Sequence, residues 1–497
     1  MLDNLWLGLT TALSIHALTY AFVGVLIGNL IGVLPGIGAL AAIAMLLPMT
    51  YSLDPTGALM MLAGLYYGTS FGGVTTSILL NLPGTAQHAV VCLDGHQLAL
   101  KGKAGPAIFM AMFASCIGVV VGIIIMTFLS PLVVSVAFKF GPAEYFSLML
   151  LGLLAASVLT TGSPIKGIIG ILFGLICGTI GTDLTSGAIR FTFGLPGLIE
   201  GLSIVALAMA LFGVTEVYKN AGILKSGDLI SKDLDRRSVR PNKKEMKQSA
   251  GAIARGSIIG SVLGALPGTG GVLGSFMSYA AEKKLDKDPQ RFGQGAIEGV
   301  AGPEAANSSA AITAFIPTLT LGIPGDAVMA LMMGALMIHN IIPGPQLITE
   351  HASLFWGLIM SFWIGNLMLL VLNIPLIGIW VKLLTIPYRW IYPIVLFLIS
   401  VGVYSTNNNL TDVGVVTLFG VLGYLAARLG YEPAPIILGL VLGPLMEQNF
   451  RRALKISHGD LSVFIYRPIS ASFLLIIVML LTAVLIINLR KKRLKKR

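Results

Sequence analysis

The strongest constraint on this chain is the recurrence of apolar stretches about 20 residues long, from Leu5–Leu34 at the start to Ile469–Leu489 near the end. A helix needs about 20 apolar residues to cross a hydrocarbon core ~30 Å thick, and the sequence supplies about ten to thirteen such stretches. Charged residues make up only 11% of the 497, against roughly 25% in soluble domains, too few to cover a water-exposed surface. The expected fold class is therefore an all-α polytopic membrane protein with about 10–13 transmembrane segments. Several stretches are interrupted by Gly and Pro, which predicts half-helices or re-entrant hairpins among the simple spans. The 59 glycines suit a bundle in which helix backbones approach closely.

The formal net charge of +11 does not point to nucleic acid, because the basic residues concentrate beside the apolar stretches. They report orientation instead. The tail from Arg490 to Arg497 reads as cytoplasmic, and so does the segment Lys219–Lys247, with nine Lys or Arg against four Asp or Glu. That segment divides the chain into 1–218, a first transmembrane half; 219–250, a basic cytoplasmic loop; 251–467, a second half; and 468–497, a final helix with its basic tail. Arg451, Arg452 and Lys455 lie one apparent span before the tail, on the side where basic residues are not expected; either that span is not simple or these residues serve another purpose. No Lys or Arg precedes Lys101, so the first span lacks the charged flank of a cleavable signal and is expected to stay. Cys92, Cys116 and Cys177 have neither metal nor redox spacing and read as small packing residues.

The two halves echo each other. Ile27–Gly38 (IGNLIGVLPGIG) is matched in the second half by Ile259–Gly270 (IGSVLGALPGTG), and Asn81-Leu-Pro-Gly-Thr85 is matched by Gly322-Ile-Pro-Gly-Asp326. Order and spacing are nearly kept, which predicts two homologous halves arranged as an inverted repeat. Each motif sets Pro-Gly deep in an apolar run, where Pro removes a donor and Gly permits unwinding. A helix broken in lipid is tolerated only where its freed backbone groups are buried in protein or line a cavity, and paired breaks mark a transporter's binding site. Ordinary proline kinks that only shape packing are the plainer reading.

Half-helix N-termini at such breaks suit an anionic substrate group, and unwound carbonyls suit a cation. The substrate-binding candidates are Gly36, Gly38, Thr76, Ser77, Asn81, Thr85, His88, Gly268, Thr269, Gly270, Asn307, Ser308 and Gly325. The candidates for cation coupling are Asn81, Thr85, Thr318, Thr320 and Asp326, with Na⁺ placed near Pro83–Thr85 and Pro324–Asp326. Hydroxyl and amide oxygens outnumber titratable groups there, which favours Na⁺ over H⁺; for any one Ser or Thr, a bond to its own helix backbone is the blander role. Among ionisable residues at membrane depth, which carry a functional presumption, Asp326 ranks first and Glu304 and His339 second. Asp54, Asp94 and Lys101 are expected at span ends in a solvated role.

Several segments together are similar to the large membrane subunit of tripartite tricarboxylate transporters, the TctA family: Gly32–Gly38, Tyr66–Gly73, Ile78–Gly84, Asp94–His96 and Lys101–Pro106 in the first half, and Gly264–Gly270, Glu298–Asn307, Leu319–Gly325 and His339–Pro345 in the second. The resemblance spans essentially the whole chain. It implies a secondary transporter in the bacterial inner membrane that imports organic carboxylates such as citrate on a cation gradient, with no cofactor beyond the coupling ion. It also implies two partners on separate chains, a small membrane subunit and a periplasmic solute-binding protein, with lipid around the bundle and a homodimer left open. By analogy, halves with midpoint breaks resemble elevator-type transporters. An intramembrane aspartyl protease fits poorly: it needs two carboxylates sharing a proton, the required Gly-x-Gly-Asp reads here as Ile323-Pro-Gly-Asp326, and no second intramembrane Asp with a Tyr beside it appears. No phosphate-binding loop is present. A carboxylate channel or a membrane scaffold remains the second alternative.

Overall fold

The computed structural model describes residues 1–34, 38–158, 163–183, 186–220, 240–266, 270–376, 378–380 and 388–495. In chain order the helices are α1 (Leu2–Ala12), α2 (Ile15–Val33), α3 (Gly38–Thr50), α4 (Pro55–Leu80), α5 (Val91–Leu100), α6 (Ala104–Ala137), α7 (Pro142–Val158), α8 (Pro164–Gly178), α9 (Ile204–Ala208), α10 (Thr215–Asn220), α11 (Lys243–Gly264), α12 (Gly270–Leu285), α13 (Glu298–Thr313), α14 (Phe315–Leu321), α15 (Ala327–Ile338), α16 (Leu347–Glu350), α17 (Ala352–Asn373), α18 (Tyr388–Asn407), α19 (Leu410–Arg428), α20 (Pro433–Ile456), α21 (Val463–Tyr466) and α22 (Pro468–Lys495). A π-helical turn, Met209–Val214, joins α9 to α10, and the sheet among the described residues is a two-stranded hairpin, Gly181–Thr182 against Ile189–Arg190.

Among the described residues, four helices are long and apolar enough to cross a membrane unaided: Ile15–Val33, Ala104–Ala137, Ala352–Asn373 and Leu410–Arg428. Six shorter apolar stretches, Gly38–Thr50, Ala327–Ile338 and the segments Val395–Tyr404 of α18 and Pro468–Thr482 of α22 among them, supply further hydrophobic material. The Pro-Gly breaks divide apolar runs into pieces too short to span alone, and α4, although 26 residues long, is rich in Gly, Ser and Thr. Almost all of α4 and all of α13 are buried, so protein rather than lipid surrounds them.

Small residues set the packing of these inner helices. A Cβ on Gly24, Gly28 or Gly32 of α2 would run into the backbone of Met61, Leu65 and Thr69 of α4, in that order; one on Gly256, Gly260 or Gly264 of α11 would run into Gly302, Ala306 and Ala310 of α13. Both series advance in the same sense, so each pair of helices runs parallel. The glycines of the two rows stand in the same register as the motif pair Ile27–Gly38 and Ile259–Gly270, and their partners in the same register as Asn81 and Gly322. Between the halves, Gly118 and Gly122 of α6 press on Ala305 and Ser309 of α13, and Gly357 and Gly365 of α17 press on Met60 and Tyr67 of α4. Each half therefore lends a long helix to the other.

Capping fixes several helix starts. Asp54 accepts from the Gly57 N–H (2.8 Å) ahead of α4, with Pro55 at the first helical position, and Asn242 and Glu245 form a reciprocal capping box ahead of α11. Asp94 departs from its expected place in solvent. It is fully buried, and its Oδ1 accepts from the backbone N–H groups of Gly293 (2.9 Å), Gly295 (2.7 Å) and Ala296 (2.8 Å) while Oδ2 accepts from the Tyr279 hydroxyl (2.8 Å). A carboxylate so surrounded by donors is stable out of water. It ties α5 to the connector between α12 and α13. In that connector Arg291 pairs with both Asp286 and Glu298, and its guanidinium holds the Asp286 carboxyl below the usual carboxylate range.

Arg451 also finds a structural place. Its guanidinium bonds Asp183 (2.9 Å) in the hairpin and Glu447 (2.6 Å) one turn earlier on α20, and Arg190 pairs with the same two carboxylates. The cluster accounts for a basic residue at this end of α20. Gly260→Val is expected to lower the melting temperature of the detergent-purified protein by many degrees, or to abolish a monodisperse elution peak, because the side chain would displace the Ala306 carbonyl. Gly414→Ala, with open space around the new Cβ, should be neutral or stabilising by up to about 1 kcal/mol; equal effects of the two would dismiss close packing as the role of the glycine rows.

Candidate functional site

Segments beside the breaks meet across the halves: Gly270 lies against Asp326, Gln87 approaches Gly271, and Tyr66 reaches Asp326. Beyond α2, and past residues outside the described ones, helix begins again at Gly38 (φ +66°); beyond α11 it begins again at Gly270 (φ +58°). Positive φ favours glycine, so these starting points are local consequences of the sequence. Of the substrate-binding candidates, Gly36, Gly268 and Thr269 lie outside the described residues.

The second pair of breaks repeats its geometry closely. Asn81 and Gly322, equivalent positions of the two halves, both close their helices in the left-handed conformation (φ 55° and 68°). One turn before each, a hydroxyl supports the returning chain: Ser77 Oγ accepts from the Gly84 N–H (3.2 Å) and Thr318 Oγ1 from the Gly325 N–H (3.3 Å). Gly84 lies against Gly73, and Gly325 against Ala314, the equivalent contact. Ser77 and Thr318 also donate to Gly73 O (2.8 Å) and Ala314 O (2.7 Å). Thr76 donates to Val33 O (2.7 Å) and Thr320 to Ile316 O (2.6 Å). These four hydroxyls thus satisfy backbone first, the blander of the two roles considered for them. Asn81 is exposed and serves as a turn.

Across the halves the tips are bound reciprocally. Tyr66 of α4 donates its hydroxyl to Asp326 Oδ2 (3.0 Å), and Asp326 Oδ1 caps α15 by accepting from the Met329 N–H (2.8 Å). In the other direction Asn307 of α13 meets His88 Nε2 (3.3 Å), and His88 Nδ1 meets the Thr85 hydroxyl (2.8 Å). Tyr66 and Asn307 are themselves equivalent positions, offset as Asn81 is from Gly322, and so are Thr85 and Asp326. Glu304, one turn before Asn307, has its Oε1 3.6 Å from His88 Nε2 and its Oε2 accepting from Ser115 of α6 (3.1 Å).

Several buried polar atoms here have no hydrogen-bond partner among the described residues: Gln87 Oε1, Asn307 Oδ1, Ser308 Oγ, Ser70 Oγ and both amide atoms of Asn29. Gln87 Oε1 and Asn307 Oδ1 both approach Gly271, in the first turn of α12. Buried polar atoms without partners are costly in a purely structural core, and a helix start beside them offers free N–H groups. The chemistry on offer is neutral donors and acceptors, two half-helix starts and one carboxylate at a tip.

A model of the tripartite tricarboxylate transporter TctA family matches residues 18–438. The chain belongs to the TctA family. The "Uncharacterized 52.8 kDa protein in TAR-I ttuC' 3'region" of Agrobacterium vitis is 48% identical over 493 residues, 99% of this chain and 98% of that protein. The "Uncharacterized protein in TAR-II ttuC' 3'region" of the same organism is 56% identical over 234 residues, 47% of this chain and 97% of that protein. No solved structure matches. TctA membership and the apolar helices make the chain a multi-pass membrane protein of a transporter family.

Sequence reasoning ranks the site residues unevenly. It sets Glu304 below Asp326, yet Glu304 lies at the centre beside His88. It does not single out Tyr66, although the equivalence of Tyr66 with Asn307 is a readable signal. Gln87 carries none. His339, in contrast, follows α15 on the far side from the tip, about 20 Å from Asp326 at 1.5 Å per residue, and lines a cavity of about 300 Å³ with Thr56, Glu350 and His351. Tyr66→Phe removes one donor from a charged acceptor, a loss of about 1–3 kcal/mol. Tyr66→Phe should lower the melting temperature of the detergent-purified protein, and the double variant Tyr66→Phe/Asp326→Asn should be little less stable than Asp326→Asn alone. Fully additive losses would mean that the bond contributes nothing.

Proposed function

We propose that this chain is the translocating subunit of a Na⁺-coupled importer of organic di- or tricarboxylates in the bacterial inner membrane. It would work with a small membrane subunit and a periplasmic solute-binding protein that delivers the ligand. The observation that carries the reading is the reciprocal binding of the two break tips, Tyr66 to Asp326 and Asn307 to His88, around buried polar atoms that lack partners among the described residues. The half-helix starts at Gly38 and Gly270 would face the substrate's carboxylates, joined by Asn307, Ser308 and His88. Asp326, Thr85 and nearby backbone carbonyls would hold the cation.

The two halves read as an inverted repeat. The parallel pair α2 and α4 is matched by α11 and α13, each helix at its own constant offset. His88 lies level with Gly73, and Gly95 with Ile78, so α5 follows the direction of α4. The short connector 101–103 then reverses the chain into α6, which runs with α13. Hence α4 and α13 point opposite ways, the relation on which alternating access by rocking or elevator motion is built. Orientation follows the same frame. Lys101 reaches Gln294 O, and Lys103 reaches Glu245 (2.9 Å) at the start of α11, so these lysines share one membrane face with the end of the basic loop. That face, and the C-terminal tail with it, reads as cytoplasmic.

Labelled citrate, succinate and other di- and tricarboxylates, offered to proteoliposomes holding this chain with its partner subunits, should accumulate only with an inward Na⁺ gradient. Flux that does not saturate and ignores the gradient would make the protein a channel, and absence of flux for every carboxylate would overturn the substrate class.

A further inference from the structure

Glu304 is served less well than Asp326, the other buried carboxylate at the breaks. Both oxygens of Asp326 accept a hydrogen bond. Glu304 is 1% exposed, and its Oε1 makes no hydrogen bond among the described residues. The charged and titratable groups on the elements packed around it are otherwise engaged. Arg255 of α11 is held bidentately by Glu282 of α12 (2.8 and 2.6 Å). Asp94 of α5 is saturated by backbone N–H groups and by Tyr279 of α12. Arg291 and Glu298 pair with each other at the start of α13, and Tyr66 of α4 serves Asp326. Cys92 of α5 is a thiol.

That leaves His88. The Asn307 amide nitrogen can only donate, so it takes the lone pair of Nε2 and leaves Nδ1 to the Thr85 hydroxyl; a ring so arranged brings no positive charge to Glu304 Oε1, 3.6 Å away. An ionised carboxylate with neither a cation nor a donor on one oxygen is strongly disfavoured in a dry interior, whereas the neutral acid is not.

We infer that Glu304 is a proton-binding site of the transport cycle, distinct from the cation site at Asp326, and that carboxylate binding is linked to its protonation. The inference rests on the carboxylate-transporter reading. Asn307 and Ser308 follow Glu304 by three and four residues on the same helix, so they lie on its face one turn away. A substrate carboxylate engaged by them would be repelled by an ionised Glu304 and tolerated by the neutral acid. The step is a simple protonation: Glu304 takes one proton from water as the substrate binds and returns it to water when the substrate leaves and the site is hydrated. No bond in the substrate changes.

The test is calorimetric binding of citrate, succinate and phthalate to the purified full-length protein in Na⁺ buffer, at about pH 8, where free carboxylates are ionised. Titrations in two buffers of different ionisation enthalpy count the protons taken up. For the native protein the inference expects up to about one proton per ligand bound, and an affinity falling by up to about tenfold for each unit of rising pH. Glu304→Gln, neutral at every pH, should bind the same ligand with heat independent of buffer and with a flat pH profile. Ser115→Ala, a milder change that removes a donor to the carboxylate, should move the pH dependence upward while keeping the fold. Binding without proton uptake by the native protein would overturn the proton site and leave the transporter reading standing, as would full proton linkage persisting in Glu304→Gln. Failure of all three ligands to bind would overturn the carboxylate reading and the inference with it.

Discussion

In the hydrocarbon phase a backbone N–H or carbonyl freed by a helix break must find its partner inside the protein, and the architecture of this chain depends on how that is done. The chain breaks its helices inside apolar runs and then supplies the partners locally. Ser77 and Thr318 accept from the returning N–H groups of Gly84 and Gly325 while donating to carbonyls one turn back. Asp326 goes further and caps the helix that restarts after its own break. Once the ends are satisfied in this way, close helix packing becomes the remaining requirement. Rows of glycine one turn apart meet it by letting α2 lie on α4 and α11 on α13 backbone to backbone.

The breaks are legible in the sequence because their cause is local. Pro-Gly in an apolar run acts on its own turn of helix, and Gly38 and Gly270 declare their left-handed backbone by residue type alone. The glycine rows are equally present, since Gly24, Gly28 and Gly32 recur as Gly256, Gly260 and Gly264, but they acquire meaning only when the partner helix is known. Asp94 escapes such a reading for the opposite reason. Its donors are backbone N–H groups of residues 293–296, far along the chain, and a backbone donor leaves no mark in the sequence. The same holds for Arg451, whose companion Asp183 belongs to a hairpin that composition does not predict.

The spacing of the repeat carries more information than the motifs that reveal it. Applied position by position, the offset that takes Asn81 to Gly322 also takes Ser77 to Thr318, Thr85 to Asp326 and Tyr66 to Asn307. In each pair both members do related structural work, yet the side chains reaching across the centre differ in chemistry: a phenol meets a carboxylate on one side, and an amide meets an imidazole on the other. Equal backbones thus hold unequal groups.

Under the proposed function that inequality has an electrostatic reason. Two like charges 4 Å apart interact by about 4 kcal/mol at an effective dielectric of 20, so a carboxylate at both tips would oppose an anionic ligand twice. Hydroxyls at both tips would, on the same proposal, leave nothing to attract a cation. A single carboxylate at Asp326, with the neutral Thr85 at the equivalent position, would avoid both outcomes, and the Tyr66 hydroxyl donates to it without adding a charge of its own. Glu304 fits the same scheme as the neutral acid, because the ring beside it, His88, accepts from Asn307 at Nε2 and brings it no cation.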